Sequence, residues 1–310
     1  MKLNEEKKII IDTDAGHDDA LALMLLIKSK LFDIKAITTV AGNSTIDNVT
    51  RNAAFILNLL SRIDIPLFSG NPKPLKRELV QAVVHGESGL DGVDTTSVSY
   101  ELTEDADEQI INLVRRYPKE ITFLTIGPLS NLARAFIKDP ELPSLIKEVV
   151  IMGGAINVPG NKNRVAEFNM FVDPEAAEIV FNTKVPKVMI PLDVCNQVVV
   201  LLNDFEKFRG SDLYQTIIKM MEHYIKGIEQ DEGTKGALVY DVLAAYYLIN
   251  SDAFEFESMD ILIETKGEHT SGMTVVEKRS FKRGDSNIKV AMGIDKNKFI
   301  QDFVGIIKNP

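Results

Sequence analysis

The chain has 310 residues, 45% of them hydrophobic, and a mean hydropathy near zero, which describes an ordinary soluble globule able to bury a large core. Its net charge is −10, from 35 Lys+Arg against 45 Asp+Glu, with no dense basic cluster. That argues against a nucleic-acid partner, because phosphate contacts need a positive footprint. The single cysteine, Cys195, excludes an intrachain disulfide framework and a cysteine zinc site and suits a reducing cytoplasm; no apolar run approaches the roughly 20 residues of a membrane span, and MKLNEEKKIII carries no signal-peptide core.

In chain order, Ile9–Ile11 is a β-branched run of the kind found in a strand buried on both faces of a parallel sheet. It ends in a cluster of acids, Asp12, Asp14, Asp18 and Asp19, with Gly16 at the turn, before a helix-forming stretch from Ala20 to Ile27. A second strand is expected over 34–40, a helix over 49–60 and a third strand over 65–68. Residues 70–100 form a long polar loop with HGESGLDG in it, and loops of this length are usually functional or mobile. Helix 105–117, strand 121–126, helix 129–137 and strand 149–154 continue the alternation. Asp173 and Pro174 then read as N-cap and first residue of a helix, followed by strand 187–193. From 203 the chain becomes mostly helical to about 230, with DEGTKGA at 231–237 and a helix over 242–249. Strands around 254–265, 272–280 and 287–292 and a helix over 296–307 complete it. The expectation is one domain, 1–310, an α/β fold with an open, mostly parallel sheet flanked by helices and a small helical and loop cap over the carboxyl edge.

Polar residues recur just after the expected strands: the aspartates, Asn43, the 126–128 turn, Met152–Gly154 and Asp193. Parallel strands share one carboxyl edge, so these groups should converge on one crevice. Four carboxylates so close in sequence repel one another unless something holds them, and a hard divalent cation is the simplest solution. Asn161, Glu167 and Asn169 lie in a segment able to fold over the same edge, and Asp241 opens a late helix. His85 sits in the long loop. His17, His223 and His269 show no metal-ligand spacing, and Met220-Met221 reads as helix packing.

DTDAGHDDALAL at 12–23 resembles the signature of the inosine–uridine-preferring nucleoside hydrolases, usually D-x-D-P-G-x-D-D-A. TTVAGN at 38–43, GPLSNLA at 127–133, VVIMGGA at 149–155, EFNMFVDPEAA at 167–177, PLDV at 191–194 and YDVLAAYYL at 240–248 extend the resemblance over nearly the whole chain. It implies hydrolysis of the N-glycosidic bond of purine or pyrimidine ribonucleosides, in nucleoside salvage, by a Ca²⁺-dependent homodimer or homotetramer. It also implies that Asp14, Asp19, Asp241 and the Ile126 carbonyl hold the calcium, with Asp14 doubling as general base toward water. Asp18, Asn43, Asn161, Glu167 and Asn169 would grip ribose, with Met152 beside the substrate.

Three departures stand out. Ala15 replaces the usual proline, which should loosen the turn, and Ile126 replaces a threonine in a role only its backbone plays. Tyr240 stands where well-known members carry a histidine proposed to protonate the leaving base; its unperturbed pKa near 10 makes it a weaker acid. His85, which resembles a loop histidine of pyrimidine-hydrolysing members, is the other candidate acid. Two rival readings remain at this level. One is a non-catalytic nucleoside-binding paralogue, motivated by Tyr240; the other is an aspartyl-phosphate phosphatase, because IIIDTD also resembles an apolar strand followed by D-x-D.

Overall fold

A computed structural model of the chain describes residues 6–98, 100, 103, 105–231, 233–279 and 288–309. The first half runs β1 (Lys7–Thr13), α1 (His17–Ser29), β2 (Phe32–Thr39), α2 (Ile46–Leu59), β3 (Leu67–Ser69), α3 (Ala106–Arg116), β4 (Thr122–Thr125), α4 (Ser130–Lys138), α5 (Leu142–Leu145) and β5 (Glu148–Met152). There follow α6 (Phe168–Val172), α7 (Pro174–Phe181), β6 (Lys187–Ile190), α8 (Leu192–Cys195), β7 (Val199–Val200), α9 (Leu202–Phe205), α10 (Tyr214–Asp231), β8 (Ala237–Leu238) and α11 (Tyr240–Ile249). The chain closes with β9 (Phe254–Met259), β10 (Ile261–Ile263), β11 (Thr274–Val276), β12 (Ile288–Ile294) and α12 (Lys296–Lys308).

Eight strands form one sheet in the order β3-β2-β1-β4-β5-β6-β12-β9. Every neighbouring pair is parallel except β12–β9, which is antiparallel. β1 is the hinge of this topology: the chain leaves it toward β2 and β3 on one side, then returns to lay β4 on the other. The crevice beyond the carboxyl ends of β1 and β4 is therefore a topological switch point, where ligands bind in open α/β sheets.

The isoleucine run explains why β1 is central. Ile9 and Ile11 face one hydrophobic core, shared with α1, α11 and α12, and Ile10 faces the other, shared with α3, α4 and α7. Alternate side chains point to opposite faces, so a strand apolar at every position suits a sheet covered on both sides. α1 is apolar around its whole circumference and is buried from His17 to Ile27, as expected of a helix sandwiched between neighbours.

The structure departs from the expected elements at several points. The stretch 254–265 is not one strand: it breaks at Asp260, β9 joining the main sheet and β10 pairing with β11 in a separate hairpin. The strand expected over 187–193 stops at Ile190, because Pro191 supplies no N–H for the ladder; Asp193 lies in the single turn α8 instead. The ends of two expected strands, residues 280 and 287, lie outside the described residues, as do residues 1–5, 99 and 232 of other stretches.

Candidate functional site

Asp14 follows β1, Asp18 and Asp19 form the first turn of α1, and Asp241 lies in the first turn of α11. α1 and α11 pack against each other within the same core, which carries Asp241 across 222 or more positions of sequence to the N-terminal acids. None of the four is more than 4% exposed. Asp18, Asp19 and Asp241 each place a carboxylate oxygen within 4.8 Å of the other two. Asp14 stands beside this trio rather than inside it, and Asp18, expected to serve the substrate, belongs to it.

The hydrogen bonds distinguish the acids further. Asp19 is held from three sides: Thr13 Oγ1 donates to its Oδ1 at 2.6 Å, and Gly16 N and Asn43 Nδ2 donate to its Oδ2 at 2.9 and 3.0 Å. The Asp241 N–H donates to Asp18 Oδ2 at 3.4 Å. Asn43 N donates to Asp14 Oδ2 at 2.8 Å, whereas Asp14 Oδ1 is buried with no hydrogen-bond partner. Burial, reinforced by the charge of Asp19, holds the Asp14 carboxyl well above the usual carboxylate range. Burial and Asp19 likewise push Asp18 to about 8, and burial with the Asp18 charge raises Asp241. Buried carboxylates persist when paired with cations or metals, so this donor set, all oxygen and one of it orphaned, fits a hard divalent ion. Ile126 borders the same cavity.

Asp12 stands apart from the cluster in which the sequence groups it. It is fully buried in β1, accepting from Thr38 Oγ1 and Asn131 Nδ2. Nor is the Ala15 turn loose: its N–H donates to Thr13 Oγ1 at 3.1 Å and its φ is +26°. Proline has no N–H to give and is fixed near −65°, so the alanine supplies a tether and a backbone conformation that proline could not.

Around the acids the cavity is lined by Asn43, Met152, Asn161, Glu167 and Asn169, five expected substrate contacts brought together from two segments, the β2–α2 loop and the stretch from the end of β5 into α6. Their partners orient the amides. Asn169 Nδ2 donates to the carbonyls of Ile126 and Met152 at 3.1 and 3.2 Å, and Asn43 Nδ2 gives one of its two hydrogens to Asp19. Asn161 Oδ1 accepts from Phe168 N at 2.9 Å. The groups left to a ligand are the oxygens of Asn43 and Asn169, the second N–H of Asn43 Nδ2 and the Nδ2 of Asn161. Glu167, N-cap of α6, accepts from the N–H groups of Asn169, Met170 and Gly154; burial still raises its carboxyl to about 6.

Gly42 permits a close approach to Asp14. A Cβ there would stand 2.2 Å from Asp14 Oδ2. Gly42→Ala is therefore expected to push the Asp14 carboxylate aside and lower kcat by about 10²-fold, the scale of a small misplacement of a catalytic group. Steady-state kinetics beside circular dichroism checks it: wild-type kcat in a folded variant would mean that Asp14's position is not what the glycine protects.

The opposite wall contains His85 from the long loop and Tyr224 and Ile228 from α10. His85 Nδ1 lies 3.1 Å from His17 Nδ1, with ring centroids 5.3 Å apart and planes 17° apart, so the two rings meet edge to edge. His17 Nε2 faces the Asp91 carbonyl at 2.8 Å and carries the proton there. Burial pushes His17 down to about 4, and burial with the neighbouring His17 holds His85 well below the histidine range. Both are neutral at pH 7. Tyr240 borders the cavity with its hydroxyl 3.2 Å from Asn196 Oδ1. Asp193 is not at the cavity at all.

Tyr224 and Ile228 were missed in the sequence because they continue the apolar stripe Ile217, Met220, Met221 at helical spacing. A tyrosine within such a stripe, carrying a hydroxyl that must find a partner when buried, is the available signal that this part of the stripe meets something other than pure core.

The family model described as inosine-uridine preferring nucleoside hydrolase matches residues 9–301. A pyrimidine-specific ribonucleoside hydrolase, RihA, of Salmonella arizonae is 38% identical over 297 residues, 94% of this chain and 95% of that protein. Its namesake in Shewanella woodyi is 39% identical over 299 residues, 95% and 96% of the two chains. Among solved structures, a plant nucleoside hydrolase, the PpNRh1 enzyme, superposes with a TM-score of 0.91 at 28% identity over 98% of this chain and all of that one (100%). A purine-preferring ribonucleoside hydrolase from Gardnerella vaginalis gives 0.90 at 28% identity, covering 97% and 99%.

Proposed function

This chain belongs to the inosine-uridine preferring nucleoside hydrolase family and is a ribonucleoside hydrolase, and we propose that it is a calcium-dependent one that acts foremost on pyrimidine ribonucleosides in nucleoside salvage. The observation that carries the reading is Asp14, whose Oδ1 is a buried carboxylate oxygen without a hydrogen-bond partner and which lines a cavity together with Asp18, Asp241, Asn43, Asn161, Glu167 and Asn169. The pyrimidine preference is supported by the names of the two relatives and by His85 on the cavity wall.

Asp14, Asp18, Asp19 and Asp241, with the Ile126 carbonyl, are the groups that would hold Ca²⁺. The ion supplies positive charge that keeps these carboxylates ionised and acidifies water beside it. Asp14 Oδ1 accepts a proton from the attacking water, whose oxygen bonds to the ribose anomeric carbon as the bond to the base nitrogen breaks. Positive charge developing on the ribose ring is stabilised by the surrounding carboxylates, fixed in place before the reaction. Asn43 and Asn169 accept from ribose hydroxyls, Asn161 donates, and Glu167 holds the α6 turn that presents Asn169; together they keep the sugar in reactive geometry.

The departing base needs a proton or a hydrogen bond. His85 is the candidate facing it, as a neutral imidazole rather than a resident imidazolium, with Tyr240 at the cavity's edge. The buried Cys195 accords with a cytoplasmic location. No helix among the described residues is long and apolar enough to cross a membrane. A homodimer or homotetramer of single-domain chains completes the proposal.

The test is ribose release from inosine, adenosine, guanosine, uridine and cytidine, with and without chelation. Release from uridine and cytidine that chelation abolishes is the expected result. Dominant purine turnover would overturn the pyrimidine preference, and nucleoside binding without any release would favour a binding-only paralogue.

A further inference from the structure

Asp193 was expected at the crevice and is not there, yet its carboxylate is buried and fully employed. Its Oδ2 accepts the Ile156 N–H at 2.9 Å and its Oδ1 accepts the Asn157 N–H at 2.8 Å. Those two amides begin the loop between β5 and α6 that carries Asn161 to the cavity. The aspartate is itself held: Gln197 Nε2 bridges its carbonyl, at 2.9 Å, and the Met292 carbonyl of β12, at 2.8 Å. On the β5 side, Leu192 N donates to Gly154 O at 2.9 Å. A path of hydrogen bonds thus runs from the rigid sheet through Gln197 and Asp193 to the root of the loop. At the far end Asn161 Oδ1 takes the Phe168 N–H, leaving its Nδ2 for the ligand.

We propose that Asp193 is a positioning residue for substrate binding, acting through Asn161: it clamps the root of the 155–161 loop so that the Asn161 amide stands ready at the cavity. This rests on the reading of the cavity as the nucleoside site. A carboxylate accepting two backbone N–H groups is among the stronger protein hydrogen-bond arrangements, and removing it leaves two amide donors without their partner. Asp14, just after β1, and the acids of α1 and α11 make no hydrogen bond to Asp193 or Gln197. Loosening the loop therefore weakens the grip on substrate and leaves the chemical step largely intact.

The experiment is a double-mutant cycle on the full-length protein with Asp193→Ala and Asn161→Ala. It is read in kcat and KM for the best-hydrolysed nucleoside and in backbone amide exchange at Ile156 and Asn157. Asp193→Ala is expected to raise KM about 10-fold with kcat within about 3-fold, to speed exchange of both amides at least about tenfold, and to add less than about twofold to KM once Asn161 is alanine. Asp193→Asn, which keeps shape and one acceptor, should fall between wild type and Asp193→Ala, and it carries the test if the alanine variant does not fold. A lowered kcat with unchanged KM, or effects that add in full across the cycle, would reduce Asp193 to a structural role and overturn the proposal. A wild type that releases no ribose would instead defeat the hydrolase reading; the same cycle read in nucleoside affinity, together with amide exchange, would still decide the clamp.

Discussion

Asp14→Asn is expected to lower kcat by about 10³-fold, within the range for loss of a positioned general base, while the protein stays folded. The asparagine oxygen can still accept the Asn43 N–H that Asp14 Oδ2 accepts at 2.8 Å, so the turn keeps its hydrogen bond. What disappears is the unpartnered Oδ1 carboxylate oxygen. Because burial and the charge of Asp19 raise the Asp14 carboxyl well above its usual range, replacing it with a neutral amide relieves like-charge repulsion among the acids. The melting temperature of the cation-free variant should accordingly equal or exceed that of cation-free wild type. Rate and stability thus move in opposite directions. Turnover within about tenfold of wild type would remove Asp14 from the proton transfer.

The second large effect is the loss of the cation. Chelation is expected to abolish turnover and to lower the melting temperature more at pH 8 than at pH 6. In the cation-free fold Asp18 titrates near 8, against about 3.9 in an unfolded chain. Between those values the folded state holds a proton that the unfolded state has released, so the stability of the cation-free protein falls as pH rises. Between pH 6 and pH 8 one such group costs about 2 kcal/mol, a few degrees in melting temperature for a chain of this size. A bound cation keeps the carboxylates ionised and removes this dependence, and its binding releases protons. Calorimetric melting in excess Ca²⁺ and in chelator, at both pH values, decides the matter. A cation-free form equally stable at pH 6 and pH 8, or more stable at pH 8, would show that the acids are not the uncompensated buried cluster described.

The two effects have one origin. An open α/β sheet places its strand ends where ligands bind, and this chain puts acids there from three segments and buries them. The same burial that makes the cluster costly without a cation makes it an effective electrostatic site with one, since preorganised charge acts most strongly where water is excluded. His17 and His85 follow the same rule with opposite sign: burial keeps them neutral, and of the two only His85 lines the cavity, where an uncharged imidazole suits hydrogen bonding to an uncharged base.

Much of this was legible in the order of residues. The three isoleucines of β1, followed by acids and then an apolar helix, define a strand, a turn and a buried helix because strand and helix periodicities are local properties. The convergence of Asn43, Met152, Glu167 and Asn169 follows from the shared carboxyl edge of parallel strands. Other features depend on contacts between distant segments, which local pattern does not contain. Asp193 follows a strand just as Asn43 does, but the turn of α8 carries it under a loop instead of into the crevice. Tyr224 sits on an apolar stripe like any core residue, and only the packing of α10 against the loop bearing His85 brings it to the cavity. His17 and His85 are 68 positions apart and meet because α1 starts at the switch point where that loop passes. Strand, helix and motif were thus settled by neighbouring side chains, whereas membership of the site was settled by sheet order and by the packing of α1 on α11, because those alone determine which strand ends and helix starts share one space.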